Sequence, residues 1–384
     1  MIRVQYNVYM KRIYFDNAAT TALDQEVLQT MMPYFTEKFG NPSSIYSYGR
    51  ESKMAIETAR KSVAQQLNTK PANIFFTSGG SESNNTAING AVRDLGCTRI
   101  ISTTIEHHAV SHTVEHIKKQ NQIQVDYVRL DALGHVDLEH LELLLASDAQ
   151  TTLVSLMHAN NEIGNILDIR RVGELCKKYN AYFHSDTVQT VGHYPIDLQE
   201  IHVHFITGAA HKFHGPKGVG LLYIKEGVGI KPFIFGGGQE RNMRAGTENI
   251  YGVVGFAKAL EMATAGYAVD SVYIQSLKMY MRDALMQHFP GVTFNGDVEG
   301  KSLYTVLSAN FAKSEKSEML LFNLDMHNIC ASSGSACSSG ADAGSHVIAA
   351  IAPGSNAVTI RFSFCKHNTR EEVDAVIDCL KIIL

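Results

Sequence analysis

The stretch RRVGELCKKYNAYFHSD, residues 170–186, joins a helix-like segment directly to a β-rich run. Its first part is amphipathic, and AYFHSD is a short apolar run that ends on a carboxylate. The same order of elements repeats from about residue 50 to residue 225. The β-rich runs are NIFFT, RIISTT, QVDYVRL, TTLVSLMHA, AYFHSD, VHFITGA and VGLLYIK. This alternation predicts an α/β fold with a mostly parallel sheet and helices on both of its faces.

The carboxyl-terminal part of the chain has a different pattern. After FGGGQERNMRAGTEN, a long helical stretch runs from Ile250 to about His288. Strands follow around TVLSANF and AVTIRFSF, separated by a helix, and TREEVDAVIDCLKIIL reads as a last helix. We therefore expect a large domain over residues 13–260 and a smaller α+β domain over residues 261–384, which also includes residues 1–12.

Composition excludes several classes of protein. The chain has 384 residues, 45% of them hydrophobic, a formal charge of -4 and an isoelectric point near 6.5. These values give no electrostatic reason to expect nucleic acid or an anionic membrane as a partner. Because no apolar run has the length of a membrane span or a secretory signal, we expect a cytoplasmic protein. The six cysteines are widely spaced without a CxxC pair, which favours reduced thiols over disulfides or structural zinc.

Polar groups follow two of the predicted strands. In FFTSGGSESNN, Gly79 and Gly80 separate a strand from a helix that opens near Ser81, so the stretch either binds phosphate or forms an ordinary serine-capped turn. Asp186 ends the AYFHSD strand, where a carboxylate needs a partner such as a protonated ring nitrogen or another structural group. Gln189, three residues later, is placed to add a hydrogen bond to a ligand.

A third group contains a candidate nucleophile. Lys212 in GAAHKFHGPKG lies at the end of the VHFITGA strand among small residues and two histidines. Lys217 lies in the same stretch, and residue types alone do not choose between the two amines. A helix start for phosphate, a carboxylate for a ring nitrogen and a lysine for a Schiff base are the parts that hold pyridoxal 5'-phosphate. Their order along one sheet therefore predicts a site for this cofactor.

One thiol lies in a stretch of small residues. Cys337 is in the middle of ASSGSACSSGADAG, residues 331–344. Such a composition is typical of a flexible loop that carries a cysteine by chance, and it also suits a nucleophile on a mobile arm. A partner site elsewhere in the chain decides between these two interpretations.

Ten short motifs follow one another along the chain in the order of a known family. They are FDNAATT, FGNPSS, FTSGGSESNN, EHHAV, MHANNEIG, HSDTVQ, AHKFHGPKG, GGGQERNMRAGTEN, SSGSACSSG and RFSF. With them the chain resembles the cysteine desulfurases of the NifS/IscS type, which are class V pyridoxal-phosphate enzymes with the fold-type I aminotransferase architecture. The resemblance runs through most of the chain.

The resemblance implies a role for each matching residue. Lys212 would be the Schiff-base lysine, Asp186 the partner of the pyridine nitrogen, and Gln189 the partner of the ring hydroxyl. His107 would stack on the ring and take part in catalysis, and Cys337 would accept the sulfur. The phosphate would be bound by Gly80, Ser81, His211 and, from a second subunit, Thr247. Asn161 and Arg361 would hold the substrate carboxylate, the arginine through a two-pronged fork.

The same resemblance implies the reaction. L-cysteine would be converted to L-alanine, leaving a persulfide on Cys337 that passes to an acceptor or iron-sulfur scaffold protein, for iron-sulfur cluster assembly or tRNA thiolation. The length of SSGSACSSG resembles the long-loop group, and the enzyme would be a homodimer. Alternatives on the same fold are a selenocysteine lyase and a class V aminotransferase, although the latter has no use for Cys337. A degenerate relative that serves as a scaffold is a further alternative.

Some positions depart from the family pattern or match another one. Ala209 stands where relatives usually have a hydroxyl residue that contacts the phosphate, Ala343-Gly344 replaces a common acidic residue and proline, and CKHNT replaces a glycine-arginine pair. HTVEH at 112–116 matches the H-x-x-E-H pattern of zinc peptidases. In a chain with 17 histidines a chance match on a solvated helix is expected, so we predict no metal site.

Overall fold

The computed structural model describes residues 12–334 and 344–384, and these residues contain twelve strands. In chain order the strands are β1 (Ile13–Tyr14), β2 (Ile74–Thr77), β3 (Arg99–Ser102), β4 (Gln124–Tyr127), β5 (Thr152–Ser155), β6 (Tyr182–Asp186), β7 (Phe205–Ala209), β8 (Gly220–Ile224), β9 (Thr293–Asn295), β10 (Val306–Phe311), β11 (Ile329–Cys330) and β12 (Val358–Ser363).

Thirteen α-helices lie in the same described ranges. They are α1 (Gln25–Met31), α2 (Pro33–Thr36), α3 (Ser47–Gln66), α4 (Gly80–Asp94), α5 (His108–Asn121), α6 (Leu138–Ala146), α7 (Ile169–Lys178), α8 (Gln239–Asn242), α9 (Ile250–His288), α10 (Glu315–Glu318), α11 (Leu320–Met326), α12 (His346–Ile351) and α13 (Arg370–Ile383). Short 3-10 helices span Pro71–Asn73 and Ala210–Lys212. None of the helices in this part of the chain combines the length and apolar character that crossing a membrane requires.

Seven strands form the main sheet, in the order β2-β8-β7-β6-β5-β3-β4. Only β8 runs against its two neighbours, and the other described pairings in this sheet are parallel. Each of the seven β-rich runs read from the sequence is one of these strands. The prediction of an α/β fold with a mostly parallel mixed sheet is therefore confirmed.

The stretch 170–186 folds as its pattern indicates. Asp168 caps α7 by accepting a hydrogen bond from the amide of Arg171 at 3.0 Å, and two lysines in the last turn suit the negative end of the helix dipole. Asn180 turns the chain with a left-handed φ of 51°. Strand β6 then lies between β5 and β7 with Phe183 fully buried, so its polar carboxyl end marks where the sheet core stops.

The chain divides into two compact units. The large unit comprises Thr20–Asn161 and Asn165–Val269 and contains the seven-stranded sheet with its apolar core. The small unit comprises Glu162–Gly164, Asp270–Leu384 and the described residues up to Ala19. It contains an antiparallel sheet in the order β12-β10-β9 and the parallel pair β1-β11. Strand β9 has only three residues, too few for an alternating pattern to show in the sequence.

Candidate active site

Three predicted ligand-binding groups lie at one edge of the main sheet. Strands β2, β7 and β6 run in the same direction, because β8 is antiparallel to both β2 and β7, and β6 is parallel to β7. Their carboxyl ends therefore face the same edge, where ligands bind in such folds. Strand β2 leads to Gly80 at the start of α4, β6 ends at Asp186, and β7 leads into the turn of helix that ends at Lys212.

The start of α4 requires a glycine. A Cβ atom on Gly80 would lie 2.6 Å from Cγ2 of Val188, a contact that real side chains do not make, and 4.0 Å from Cβ of Ala209. Gly80 is itself the first residue of α4, one position earlier than the sequence suggested, and Ser81 is exposed in the first turn. The small residues leave the first amides of a 15-residue helix accessible beside Ala209, a suitable place for a phosphate.

A carboxylate also lies in the first turn of α4. Burial alone would raise the pKa of Glu82, but hydrogen bonds from Arg244 and Ser78 outweigh burial and lower the pKa below its usual value. The guanidinium Nε of Arg244 lies 3.0 Å from Oε1 of Glu82. Arg244 therefore neutralises the one acidic group in the first turn of this helix, which otherwise would oppose a bound anion.

The structure distinguishes the two candidate lysines by their surroundings. Lys212 is half-buried at the end of its 3-10 helix, whereas Lys217 is exposed. The backbone carbonyl of Lys212 accepts a hydrogen bond from Nε2 of His193 at 2.9 Å. Burial lowers the pKa of His193, so this imidazole is neutral at neutral pH and donates from Nε2. The backbone of Lys212 is thus bonded to a buried part of the chain, unlike the exposed Lys217.

His211 precedes this lysine and is neutral. Burial, with the nearby charges of Lys212 and Lys217, lowers the pKa of His211 to about 4. Its Nδ1 lies 3.2 Å from the hydroxyl of Thr20, and the backbone carbonyl of His211 accepts hydrogen bonds from the amide and hydroxyl of Thr21. His211 is therefore suited to binding phosphate as a hydrogen-bond donor rather than as a cation.

Asp186 accepts two hydrogen bonds at the end of β6. The backbone amide of Val188 donates to Oδ1 at 3.0 Å, and the side-chain amide of Asn84 on α4 donates to Oδ2 at 2.6 Å. Both contacts come from N–H donors and orient the carboxylate, and Asp186 is 6% exposed. Asn84 and its neighbour His184 lie inside the motifs ESNN and HSDTVQ, but sequence reasoning assigned no role to either, because only the folded sheet brings them together.

His107 is oriented by a helix cap. It is the N-cap of α5, and its Nδ1 accepts a hydrogen bond from the amide of Ala109 at 3.1 Å. The ring proton is therefore on Nε2, the only nitrogen through which His107 can donate. The preceding residue, Glu106, is 1% exposed and accepts hydrogen bonds from Met157 and Thr103. Burial raises the pKa of Glu106 to about 8.

The small unit contains Arg361, which the family resemblance assigns to the substrate. This residue lies on β12 and is 1% exposed. Its Nη2 lies 2.6 Å from Oδ1 of Asp16, next to the bridge between Asp16 and Ser363. A buried guanidinium needs such a partner, and Asp16 pairs with one of its terminal nitrogens. The DNAAT motif carries this carboxylate, and the sequence alone did not reveal its role.

The remaining predicted site residues have the following positions. Gln189 is 8% exposed in the turn after β6, and Asn161 is half-buried between the bridged residues Ala159 and Ile166. Thr247 is exposed in this single chain. Cys337 lies outside the described residues.

The described cysteines share one property. Burial raises the pKa of each thiol above its ordinary value, and for Cys97 it raises the pKa to about 12. The other thiols with a raised pKa are those of Cys176, Cys330, Cys365 and Cys379. All five are unpaired thiols. A raised pKa disfavours the thiolate, the form that acts as a nucleophile.

HTVEH lies on α5. The ring of His112 stacks on the ring of His108 with centroids 4.6 Å apart, and Glu115 accepts a hydrogen bond from the hydroxyl of Tyr127 at 2.8 Å. His112 and Glu115 of this motif thus have protein partners. Within residues 12–334 and 344–384, no group of three or more histidine, cysteine or acidic side chains is arranged to hold a metal ion.

Comparison with known proteins identifies the family. The family model for aminotransferase class-V matches residues 13–376. The chain belongs to the aminotransferase class-V family. A class-V relative from Clostridium botulinum (strain Hall), named cysteine desulfurase IscS, is 43% identical over 380 residues, covering 97% of this chain and 94% of the relative. A cysteine desulfurase IscS from Dictyoglomus turgidum is 42% identical over 384 residues, covering 98% and 95%.

Solved structures of class-V proteins agree with this assignment. A NifS-like protein superposes with a TM-score of 0.89 at 38% identity, covering 97% of this chain and 99% of that one. An apo cysteine desulfurase from Thermococcus onnurineus gives a TM-score of 0.85 at 26% identity, covering 97% and 94%. The fold is therefore the fold-type I architecture of pyridoxal-phosphate enzymes, and the resemblance drawn from the motifs is confirmed.

Proposed function

We propose that this chain is a cysteine desulfurase, which uses pyridoxal 5'-phosphate to convert L-cysteine to L-alanine and transfers the sulfur to Cys337. One observation carries the proposal: Gly80, Asp186 and Lys212 lie at one edge of the sheet, in a class-V chain whose relatives are named cysteine desulfurases. Class-V enzymes of this kind depend on pyridoxal 5'-phosphate, which fits the donor set at this edge.

Each part of the cofactor has a matching group. The accessible amides after Gly80, with Ser81 and His211, would hold the phosphate. Asp186, oriented by the hydrogen bonds from Asn84 and Val188, would accept a hydrogen bond from a protonated pyridine nitrogen. Gln189 would bond to the ring hydroxyl. Lys212 would bind the aldehyde carbon as a Schiff base. When bound, the cofactor supplies an electron sink for the carbanion formed at the substrate Cα.

The protein's own residues would manage charge and protons. In this proposal Arg361 and Asn161 bind the carboxylate of L-cysteine, while Nη2 of the arginine pairs with Asp16. The Nζ of Lys212, once released by the substrate amine, removes the proton from Cα. His107 would lie against the cofactor ring and would present a proton on Nε2, because Nδ1 accepts a hydrogen bond from the amide of Ala109.

The sulfur step is a transfer between two thiols. The Cys337 thiolate attacks the sulfur of L-cysteine, a sulfur-sulfur bond forms, and the carbon-sulfur bond of the substrate breaks. The electron pair of that bond stays on carbon, which gains a proton and leaves as L-alanine, while the persulfide remains on Cys337. The described cysteines support this assignment, because burial disfavours the thiolate form of all five.

The proposal has a direct test. Purified protein is incubated with pyridoxal 5'-phosphate and L-cysteine, with and without a reducing thiol, and alanine and sulfide are measured. We expect alanine under both conditions and continuous sulfide release only with the thiol, since the persulfide must be reduced before the next turnover. A protein that binds the cofactor and forms no alanine is not a cysteine desulfurase.

A homodimer is part of the proposal. Large apolar side chains are exposed on the large unit and include Phe35, Phe39, Ile45, Tyr46, Tyr48 and Phe235. Phe35 stacks on Tyr251 with ring centroids 4.3 Å apart, so at least part of this surface is continuous. Exposed patches of this kind mark interfaces. Tyr251 lies close to Thr247 in the sequence, which supports Thr247 as a contribution to the neighbouring subunit's phosphate site.

The acceptor and location complete the proposal. We assign the persulfide of Cys337 to a protein acceptor such as an iron-sulfur scaffold, because a sulfane sulfur passes readily to another thiol. The IscS name of the relatives supports iron-sulfur cluster assembly as the pathway. A cytoplasmic location suits this chemistry, since sulfur transfer needs reduced thiols and the described cysteines are unpaired.

A further inference from the structure

A chain of buried side chains leads from β5 to the carboxylate of Asp186. The hydroxyl of Ser155 lies 2.9 Å from Nδ1 of His184, and Nε2 of His184 lies 3.0 Å from Oδ1 of Asn84. The amide nitrogen of Asn84 lies 2.6 Å from Oδ2 of Asp186. Ser155, His184 and Asn84 are at most 1% exposed, and none of them has a role in the proposed reaction.

Asp186, the last acceptor in this series of side chains, determines the direction of each hydrogen bond in the series. An ionised Asp186 only accepts, so Asn84 must present its nitrogen to it and its oxygen to the other side. That oxygen then accepts from the hydroxyl of Thr207 at 2.9 Å and from Nε2 of His184. A proton on Nε2 leaves Nδ1 as an acceptor, and Ser155 must donate to it.

The histidine in this chain is neutral. Burial lowers the pKa of His184 to about 4, in spite of the nearby charge of Asp186. A neutral ring with a proton on Nε2 carries its donor end toward Asn84 and its acceptor end toward Ser155. Every donor therefore points along the chain toward Asp186, and hydrogen bonds aligned in this way in a buried site strengthen one another.

We propose that Ser155, His184 and Asn84 are positioning residues that hold the Asp186 carboxylate in one orientation, ready to accept a hydrogen bond from the pyridine nitrogen. The inference rests on the proposed function for the identity of the cofactor, and it adds three residues that set the charge of that cofactor's ring. A purely structural network that ties α4 to β5 and β6 would affect the stability of the fold without affecting the bound cofactor.

The first test concerns the histidine alone. Nitrogen-15 NMR of histidine-labelled protein, with His184→Gln to assign the signal, reports which ring nitrogen carries the proton. We expect the Nε2-H tautomer, neutral down to pH values near 5, with and without pyridoxal 5'-phosphate. An Nδ1-H tautomer, or a ring that is charged at pH 6, reverses the chain of donors and overturns the proposal whatever the enzyme's activity.

The second test reverses one link. Asn84→Asp has the same shape but replaces the donor facing Asp186 with a carboxyl group, so one of the two must be protonated. We expect dissociation of pyridoxal 5'-phosphate to increase about tenfold or more, since a hydrogen bond to a charged group is lost. The pH midpoint of the visible absorbance of the cofactor should rise by about one unit as the ring loses its charge.

Matched variants separate this role from folding. Asn89→Asp on the same helix is the control, because the Asn89 side-chain amide donates to the backbone carbonyl of Asn85, at 2.8 Å, and not to a carboxylate. His184→Gln retains a donor toward Asn84 and should keep cofactor retention within about threefold, whereas His184→Leu should weaken it about tenfold.

The outcomes distinguish the two proposals. If the wild type binds the cofactor without forming alanine, the proposed function fails, while a shifted midpoint in Asn84→Asp still supports the positioning role. If Asn84→Asp is folded by circular dichroism and keeps the wild-type midpoint and retention, the positioning role is wrong even in an active enzyme. A wild type that does not bind pyridoxal 5'-phosphate contradicts both.

Discussion

The hydroxyl of Ser345 lies 2.5 Å from Oε2 of the buried carboxylate of Glu162. A Cβ atom on Gly334 would lie 2.8 Å from the same oxygen, so the backbone there passes close to it. Gly334 and Ser345, which lie on either side of positions 335–343 in the sequence, are therefore both close to Glu162, and Cys337 lies between them. Gly334 also has a φ of 139°, a conformation that favours glycine. One carboxylate thus bonds to Ser345 and lies close to Gly334, on the two sides of the residues that include the proposed sulfur acceptor.

Removing this contact should slow sulfur transfer selectively. Ser345→Ala deletes the donor to Glu162 and the cap of α12, whose Ile348 amide bonds to the Ser345 hydroxyl at 3.1 Å. We expect persulfide formation to slow by about three- to tenfold, from a loss of roughly 1 kcal/mol of local stability. Cofactor absorbance should stay unchanged. Equal losses of cofactor binding and sulfur transfer, measured by spectroscopy and rapid quench, would contradict this division.

The two lysines should differ in their effect on colour. Lys212→Ala should abolish the visible absorbance of the bound cofactor, because the Schiff base cannot form. Lys217→Ala should keep it, since Lys217 is exposed and lies beyond the fixed turn. Both variants are reconstituted with pyridoxal 5'-phosphate and scanned in the visible range. A colourless Lys217→Ala beside a yellow Lys212→Ala would show that the assignment is reversed.

A hydroxyl at position 209 should tighten cofactor binding. Ala209 is buried beside Gly80, where family members usually have a hydroxyl residue. Ala209→Ser should lower the dissociation constant for pyridoxal 5'-phosphate by about five- to tenfold, through a hydrogen bond of roughly 1 to 2 kcal/mol to the phosphate. Thr207 does not already supply this donor, because its hydroxyl bonds to Asn84. Unchanged or weaker binding after dialysis and titration would count against a phosphate at this edge.

Glu106 should make stability depend on pH. Burial raises its pKa to about 8, so between pH 4.5 and 8 the folded protein binds a proton that the unfolded chain has lost. The contribution of Glu106 to the free energy of unfolding is therefore greatest below pH 4.5 and declines as the pH rises to about 8. The total decline is at most roughly 5 kcal/mol. Urea unfolding of Glu106→Gln should lack this decline. The exposed Glu139→Gln should retain it, and parallel curves for Glu106→Gln and wild type would refute the raised pKa.

The exposed apolar side chains should hold the dimer together. Ile45 is 89% exposed, and Ile45→Asp should shift the protein toward monomer in sedimentation equilibrium at micromolar concentration, with weaker cofactor binding as Thr247 is withdrawn. Leu143, 63% exposed on α6, offers the control, since Leu143→Asp should stay dimeric. A wild-type monomer with full cofactor occupancy would contradict both the dimer and the role of Thr247.

The sequence predicted the strands of the main sheet but not the hydrogen bonds that support the site residues. The seven strands could be predicted because each is an apolar run next to an amphipathic helix, and α9 because its pattern is unbroken from Ile250 to His288. The role of Asn84 could not be predicted, because its hydrogen-bond partners Asp186 and His184 lie about a hundred positions away in the sequence. The contact of Glu162 with Ser345 could not be predicted for the same reason, since the two residues are 183 positions apart.

The central claim is that Cys337 accepts the sulfur, and mass spectrometry of the protein after a short pulse of L-cysteine tests it most directly. We expect the extra sulfur on the peptide that contains Cys337. Cys337→Ser should still change the cofactor spectrum when L-cysteine binds but should form no alanine, because a serine hydroxyl is not ionised at neutral pH and cannot become a persulfide. Sulfur found mainly on Cys330 or Cys365, or undiminished alanine from Cys337→Ser, would contradict the claim.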